Sequence, residues 1–346
     1  MNLGYRGVPG SNESGNSVLA SEPVLAVENL HVQFQSKEGP LNAVNGVSFV
    51  IRKGEILGLL GESGSGKSVT GLSILGLLPK GKGRVSGGSI RFEGRNLVGL
   101  RETEYRTLRG PSISMILQDP LTSLNPVFTI GWQIAESLRL HRIVPRRLER
   151  ARTIELLRRL RIPAAEARLK SYPHQFSGGM RQRVVAAIAL ASGPRLLIAD
   201  EPTTSLDVTV QAHFLRLLKE IQKETQLSVL FVTHDLGVIA RICDRAAVMY
   251  AGRIVEEAPV ATLFAEPRHP YTQALLNTLP RLEHRGGRLP WIEGQPPHIR
   301  DIPKGCAYAP RCNHAMDICR TTVPGERSVS ADHRVACWLL ADRTAA

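Results

Sequence analysis

Residues Gly61–Ser68 read GESGSGKS. An apolar run ending in ILGLL at Leu60 precedes them, and an apolar helix is expected after them, from about Lys67 to Leu78, stopped near Pro79. A buried strand, a glycine-rich loop and a helix start, in that order, are the setting in which G-x-x-x-x-G-K-[ST] cradles phosphate. Glycines let successive backbone N–H groups turn inward and approach phosphate oxygens. The helix start adds its partial positive charge. Lys67 is placed to reach the β- and γ-phosphates of a nucleotide, and Ser68 to offer its hydroxyl to Mg²⁺. With glycine at about 7% of residues, a chain of this length meets the pattern by chance on the order of once in a hundred times, so the loop is read as a nucleotide site.

Downstream, LLIADEP ends an apolar strand on Asp200 and Glu201. Asp200 at such a strand end can hold Mg²⁺ through its water shell, and Glu201 beside it can polarise an attacking water. FSGGMRQR opens a helix with Ser177, Gly178 and Gly179, a second helix start suited to anions. SLD at Ser205–Asp207 follows the acids, and FVTHD sets His234 at the end of the next strand, able to hydrogen-bond a γ-phosphate.

Upstream, VLAVENLHVQF and LNAVNGVSFVI read as strands before a turn at Lys53-Gly54. GSIRFEG and SISMIL are further strands, the second leading to Gln118. Residues 126–176 are expected to be mostly helical, as are MRQRVVAAIALA and residues 208–224. LSVLFVT is a strand and AAVMYAGRIVEE a hairpin about Ala251-Gly252. Strands alternating with helices argue an α/β fold with a mainly parallel sheet. From His269 onward prolines multiply and periodicity fades, which predicts a small, irregular C-terminal domain.

A length of 346 residues with 42% hydrophobic residues suits one large globular domain or two smaller ones. No apolar run approaches the roughly 20 residues of a membrane helix. The opening MNLGYRGVPGSNESGNSVLASEP lacks a hydrophobic signal core and reads as a disordered tail over 1–22, which makes the cytoplasm the default compartment. The net charge of +13 is partly local: nine arginines lie between Leu138 and Ile162, opposed there only by Glu149 and Glu155. A solvated helical face, a lipid-headgroup surface and nucleic acid all fit such a run. The aromatic interleaving that single-stranded nucleic acid favours is missing.

Taken in order, these residues resemble the ATP-binding cassette (ABC) ATPases over about residues 24–265. The resemblance implies a P-loop NTPase core with an antiparallel β subdomain and a helical subdomain at about 126–180, the domain as a whole spanning 23–268. Gly61, Glu62, Ser63, Gly64, Ser65, Gly66, Lys67, Ser68 and Val69 fall on the Walker A loop and helix start. Gln118 falls on the Q-loop, which links Mg²⁺ to the coupling region. Ser177, Gly178, Gly179 and Gln182 belong to the signature motif, Asp200 and Glu201 to the Walker B pair, Asp207 to the D-loop, and His234 is the switch histidine. Glu201 is implied as catalytic base, with His234 positioning the γ-phosphate and water. Phe34 lies where the family places its adenine-stacking aromatic, a position a strand-core phenylalanine would also fill. Family members pair head to tail, each ATP lying between the Walker A loop of one subunit and the signature residues of the other. The span from Gln118 to Ser177 is too short for the coiled coil of DNA-clamping members, which favours transport over nucleic-acid work.

QDPLTSLNP, SYPHQFSGGM, DEPTTSLDVTVQ and RHPYTQALL narrow the resemblance to the ATPase subunits of bacterial dipeptide and oligopeptide importers. EGQPP and the cysteine region after it match that group's C-terminal extension, here 269–346. Leu117 stands where the group often has Phe, and members also move nickel complexes, glutathione and some sugars. The implied assembly has two different ATPase subunits, two membrane permeases and an extracytoplasmic binding protein. This chain would be peripheral on the cytoplasmic face of the cell membrane, with no nucleic acid bound. Leu121–Asn125 are the candidates to receive the permeases.

Four of the five cysteines, Cys306, Cys312, Cys319 and Cys337, crowd the C-terminus. Disulfides fit a cytosolic chain badly, and the C-x-x-C pairing usual for zinc is absent. The spacing leaves a thiolate metal site and unpaired buried thiols both open. The resemblance adds an expectation, since importer ATPases include members with a C-terminal four-cysteine [4Fe–4S] site of this layout. His314 and His333 nearby are expected to be ordinary surface residues, and Cys243 a core residue.

Overall fold

The computed structural model describes residues 22–279 and 291–340; the tail expected over 1–22 therefore lies, but for its last residue, outside the described residues. β1 (Leu25–Ser36) and β2 (Gly39–Ile51) form a hairpin, and β3 (Ile56–Leu60) follows the turn at Lys53-Gly54. α1 (Lys67–Ile74) begins where the glycine-rich loop ends. It stops short of the expected Leu78 because Gly76 takes a left-handed φ of 62°. The Gly76 and Leu77 amides then turn back to the carbonyls of Ser73 and Leu72 at 3.1 and 2.9 Å, a glycine-terminated helix end. β4 (Gly83–Phe92), β5 (Arg95–Asn96), α2 (Glu102–Leu108) and β6 (Ile113–Ile116) follow, then a helical region of α3 (Pro120–Ser123), α4 (Ile130–Leu140), α5 (Glu149–Arg159) and α6 (Ala165–Arg168). α7 (Gly178–Leu190), β7 (Leu196–Asp200), α8 (Val208–Thr225), β8 (Ser228–Thr233), α9 (Leu236–Ile242) and the hairpin β9 (Arg245–Tyr250) and β10 (Arg253–Pro259) complete the α/β core. Beyond it lie α10 (Val260–Ala265), α11 (Pro270–Asn277), α12 (Asp317–Thr321), β11 (Arg327–Ser330) and β12 (His333–Val335).

Two sheets result. The first is antiparallel, in the order β2-β1-β4-β5. The second runs β11-β12-β10-β9-β3-β8-β7-β6. Its five strands from β9 to β6 are parallel, and the three on the β10 side are antiparallel. Every residue of β3, β7, β8 and β9 is buried, as strands covered on both faces must be. Alternate residues serve opposite layers: Leu197, Ala199, Val229 and Phe231 pack on the helices, while Leu196, Ile198, Leu230 and Val232 pack toward α1 and the antiparallel sheet.

Register positions the site. Leu60 pairs with Thr233 and Val248, and Asp200 pairs with Val232. β3, β7 and β8 thus end side by side, and the loops that follow them converge at one edge, the usual place for a ligand in an open parallel sheet. Among the described residues no helix is long and apolar enough to cross a membrane.

The segment after His269 shares a core with the strands before it. Tyr271, fully buried on α11, packs its ring, tilted, at 4.6 Å from that of Tyr250 of β9 and 5.3 Å from that of Tyr308. β12 adds to β10 through Glu256↔Val335 and Glu257↔Arg334. His333, expected on the surface, is 2% exposed, and its Nε2 lies 2.8 Å from Oε1 of the buried Glu256. Burial of that carboxylate demands a partner, and β12 supplies it. His314 is exposed as expected, and Cys243 packs against the core, its thiol pushed up by burial.

Five of the nine arginines in the run are ion-paired. Arg139, Arg152, Arg150, Arg159 and Arg161 meet Glu149, Glu155, Glu166, Glu224 and Glu220 within 2.6–3.1 Å. Glu220 and Glu224 come from α8, which is why the imbalance looked larger along the chain than it is in space.

Truncating Tyr271 removes a large buried ring that joins the two parts. Tyr271→Ala should cost about 3–5 kcal/mol in denaturant unfolding. A loss below about 1 kcal/mol, the level of an ordinary surface change, would show that the extension is not packed as described.

Candidate functional site

The phosphate loop is shaped by close approaches. A Cβ at Gly61 would lie 2.1 Å from the Met249 carbonyl oxygen. Gly66 has φ of 102°, and a Cβ there would lie 2.7 Å from the Ala43 carbonyl oxygen. Only glycine meets both demands at once. The Gly252 amide donates to the Ser65 carbonyl at 2.9 Å and ties the loop to the β9–β10 turn. Lys67 is buried, and its Nζ donates to the carbonyls of Gly61 and Glu62 at 2.7 and 3.0 Å. Burial lowers its pKa, while Glu201, Asp200 and Glu62 work the other way.

Ser68 Oγ donates to Asp200 Oδ1 at 2.9 Å. Asp200 is buried, which raises its pKa against the Ser68 hydrogen bond. A hydroxyl and a carboxylate at this spacing are hard oxygen donors and fit Mg²⁺.

Glu201 takes a φ of 45°, unusual for a side-chain-bearing residue, and its amide donates to the Val232 carbonyl at 2.9 Å. Three side chains hold its carboxylate. Gln118 Nε2 and Thr204 Oγ1 donate to Oε2 at 3.0 and 3.1 Å, and His234 Nδ1 lies 3.1 Å from Oε1. Strained backbone with a fully engaged carboxylate is characteristic of a functional position.

One cavity of about 940 Å³ gathers Phe34, Gly61, Glu62, Ser63, Gly64, Ser65, Gly66, Lys67, Ser68, Val69, Gln118, Glu201 and His234. Asp200 sits behind its wall. Ser177, Gly178, Gly179, Gln182 and Asp207 are not among its lining residues. Ser177 caps α7 by accepting from the Met180 amide at 3.4 Å, and Gly178 has open space about it. Gly179 packs on α8, where a Cβ would meet Val210 at 2.3 Å. Asp207 caps α8 through the Val210 amide at 2.9 Å. Gln182, expected with the signature motif at the other subunit's ATP, is fully buried within α7.

Several neighbours had no signal in the sequence reading. Thr204 could have been suspected from its place three residues after Glu201. Arg311 could not: its two Nη atoms pair with the Glu62 carboxylate at 2.7 and 3.1 Å across 249 positions. Gln295–Ile299 also reach the cavity.

The chain is similar to known proteins in both parts. Residues 44–204 match the ABC transporter family, and residues 255–319 match the oligopeptide/dipeptide transporter C-terminal region. It is 49% identical over 318 residues to the dipeptide transport ATP-binding protein DppD of Bacillus subtilis, covering 92% of this chain and 95% of that protein. The chain belongs to the ABC transporter ATP-binding proteins. Another member, the probable peptide ABC transporter ATP-binding protein y4tR of Sinorhizobium fredii, is 50% identical over 91% of this chain and 94% of its own length. Among solved ABC structures, the dimeric bacterial cassette MJ0796 superposes with a TM-score of 0.61 at 27% identity, covering 68% of this chain and 98% of that one. CbiO1 of Clostridium perfringens, part of the cbiONQ complex, gives 0.61 at 29% identity, covering 70% and 91%. This chain is an ABC ATP-binding subunit.

The cysteine expectation fares differently. The Cys306 amide donates to the Cys319 carbonyl at 2.8 Å, and Cys306, Cys312 and Cys319 all influence Cys337. Burial first, then those neighbouring thiols, push Cys337 up to about 11. Yet among the described residues no group of three or more His, Cys, Asp or Glu side chains is arranged to hold a metal ion. The structure brings four soft donors together but does not form the cage that an iron–sulfur cluster needs. His333 is committed to Glu256.

Leu121 is 63% exposed, but Leu124 is buried in the core, so Leu121–Asn125 do not act as one exposed strip. Val127, and Phe128 stacked on Trp132 at 4.1 Å, add exposed apolar area nearby.

Gly66→Ala should weaken binding of a fluorescent ATP analogue by more than about tenfold, since the new Cβ forces both a strained φ and a clash with backbone. Unchanged affinity would mean that the loop does not keep this conformation when nucleotide binds.

Proposed function

We propose that this chain hydrolyses ATP to drive uptake of dipeptides or oligopeptides across the cytoplasmic membrane. The observation that carries the reading is the Glu201 carboxylate, fixed by Gln118, Thr204 and His234 in the cavity that also holds Lys67 and Ser68. The names of the similar proteins DppD and y4tR support peptide as the cargo.

Lys67 and the loop amides bind the β- and γ-phosphates. Ser68, Asp200 and Gln118 would hold Mg²⁺, which when bound would offset charge that develops on the phosphate oxygens. Glu201 accepts a proton from the attacking water as its oxygen bonds to the γ-phosphorus and the bond to the ADP oxygen breaks. His234 orients the carboxylate and the γ-phosphate. Ser177, Gly178 and Gly179, outside this chain's own cavity, complete the site of a second ATPase subunit, and that subunit's signature residues complete this one.

The partners follow from this reading: two permeases, a second and different ATPase subunit, and through them an extracytoplasmic binding protein. The exposed Leu121, Val127, Phe128 and Trp132 near Gln118 suit a permease helix, which supports a peripheral location on the inner face of the membrane. An apolar patch of this kind on a water-facing protein marks an interaction surface.

A [4Fe–4S] cluster on Cys306, Cys312, Cys319 and Cys337 is proposed as a second element. Its support is the crowding of four cysteines near the end of the sequence; the thiols must lose their protons to bind it, which burial opposes at Cys306 and Cys337, so binding would have to rearrange them. Such a cluster supplies a staple for a small, proline-rich lobe or a one-electron centre. Anaerobically purified protein should contain iron and acid-labile sulfide in equal amounts, and Cys337→Ser should lose both; zinc without iron would refute it.

Glu201→Gln should keep ATP affinity and lose turnover by at least about a hundredfold. Hydrolysis at the full rate would remove Glu201 as the base. Cells lacking the gene should fail to take up labelled dipeptides, and uptake unaffected by the deletion would set the peptide assignment aside.

A further inference from the structure

The ATP cavity is not closed by the cassette alone. Gln295, Pro296, Pro297, His298 and Ile299, from the C-terminal extension, line it together with Phe34 and the Walker A loop. The phosphate end is marked by Lys67 and Ser68, and residues 299–300 of the extension also fasten to the β1–β2 hairpin. Arg300 forms an ion pair with Glu38, on the turn of the β1–β2 hairpin. That hairpin carries Phe34, paired with Leu41. Ile299 and Arg300 also share a second cavity with Pro40, Leu41 and Asn42. The segment is therefore fastened beside the aromatic ring, at the end of the site where a nucleoside belongs.

Its form is held from both sides. Two successive prolines restrict the backbone at the cavity wall, and the Asp301 amide donates to the His298 carbonyl at 2.8 Å, closing a turn. At the far end Arg311 does two things with one guanidinium. Its Nη atoms grip Glu62 of the Walker A loop, and its Nε donates to the Glu293 carbonyl at 2.9 Å. The arginine side chain is 5% exposed, so this contact is part of the packed structure and not a loose surface pair. The wall and the loop are thus held at a fixed separation by a single residue.

We propose that the C-terminal extension forms the nucleoside wall of this chain's own ATP site, with Gln295 and His298 offering hydrogen-bonding groups to the base or ribose and Arg311 positioning that wall against the Walker A loop. The inference rests on the cavity being the ATP site. An amide, an imidazole and a proline face suit a base and sugar, whereas the triphosphate is already served by Lys67 and the loop amides.

The test is calorimetric titration of the full chain with ATP and, separately, with inorganic tripolyphosphate. In the Gln295→Ala, His298→Ala double variant, ATP affinity should fall about tenfold, equivalent to ~1.4 kcal/mol, while tripolyphosphate affinity stays put. Arg300→Glu, a change at an exposed position, should act the same way by repelling Glu38, and it keeps the test open if the double variant misfolds. Arg311→Ala should weaken both ligands, because it releases Glu62 as well as the wall. Equal losses for the two ligands in the double variant, or no loss for ATP in both it and Arg300→Glu, overturns the wall. A wild-type chain that binds neither ligand overturns the ATP-site reading instead, before any variant is made.

Discussion

Gly61 lies so close to Met249 that a Cβ on it would stand 2.1 Å from that carbonyl. The close approach pins the end of β3 against β9 and sends the chain into a loop whose amides turn inward. Other features of the site are arranged about it. Lys67 is held by the Gly61 carbonyl, Ser65 by the Gly252 amide of the β9–β10 turn, and Ser68 reaches Asp200 at the end of β7. The same β9–β10 hairpin receives β12 on its outer edge and packs Tyr250 against Tyr271 and edge-on to Tyr308. One hairpin therefore ties the nucleotide loop on one side to the C-terminal extension on the other.

That arrangement changes what the extension is. Its proline-rich sequence suggests an irregular appendage, and its cysteines suggest a separate metal module. In space it continues the main sheet, shares the tyrosine core and places Arg311 on Glu62. Cys312 is the residue next to Arg311 in the chain. A change at the Cys312 thiol is then one residue from the arginine that contacts Glu62 of the Walker A loop.

The parts legible in the sequence were those with local, repeated signals. The glycine-lysine-serine loop, the buried strands ending at Leu60, Asp200 and Thr233, and the hairpin about Ala251-Gly252 all appear where composition and periodicity put them. Parallel central strands announce themselves because both of their faces are buried and nearly every residue is apolar. What could not be read was pairing between distant charges. Arg311 with Glu62, His333 with Glu256, and Arg159 with Glu224 leave no spacing pattern, since each joins segments that meet only after the sheet has formed. The burial of Gln182 was equally hidden, because a motif match names a neighbourhood, whereas the turn of α7 decides which face enters the core. The cysteine spacing showed crowding, not geometry.

The central claim is that this chain carries two half-sites, since Ser177, Gly178 and Gly179 lie outside the cavity that holds Lys67 and Glu201. The most direct test is the ATPase rate per chain at fixed concentration while the second ATPase subunit of the same transporter is titrated in. The account predicts a low basal rate that climbs and saturates at one partner per chain, and a climb that is lost when the added partner lacks its signature serine. A rate per chain that is already full without the partner, and indifferent to its addition, would contradict it.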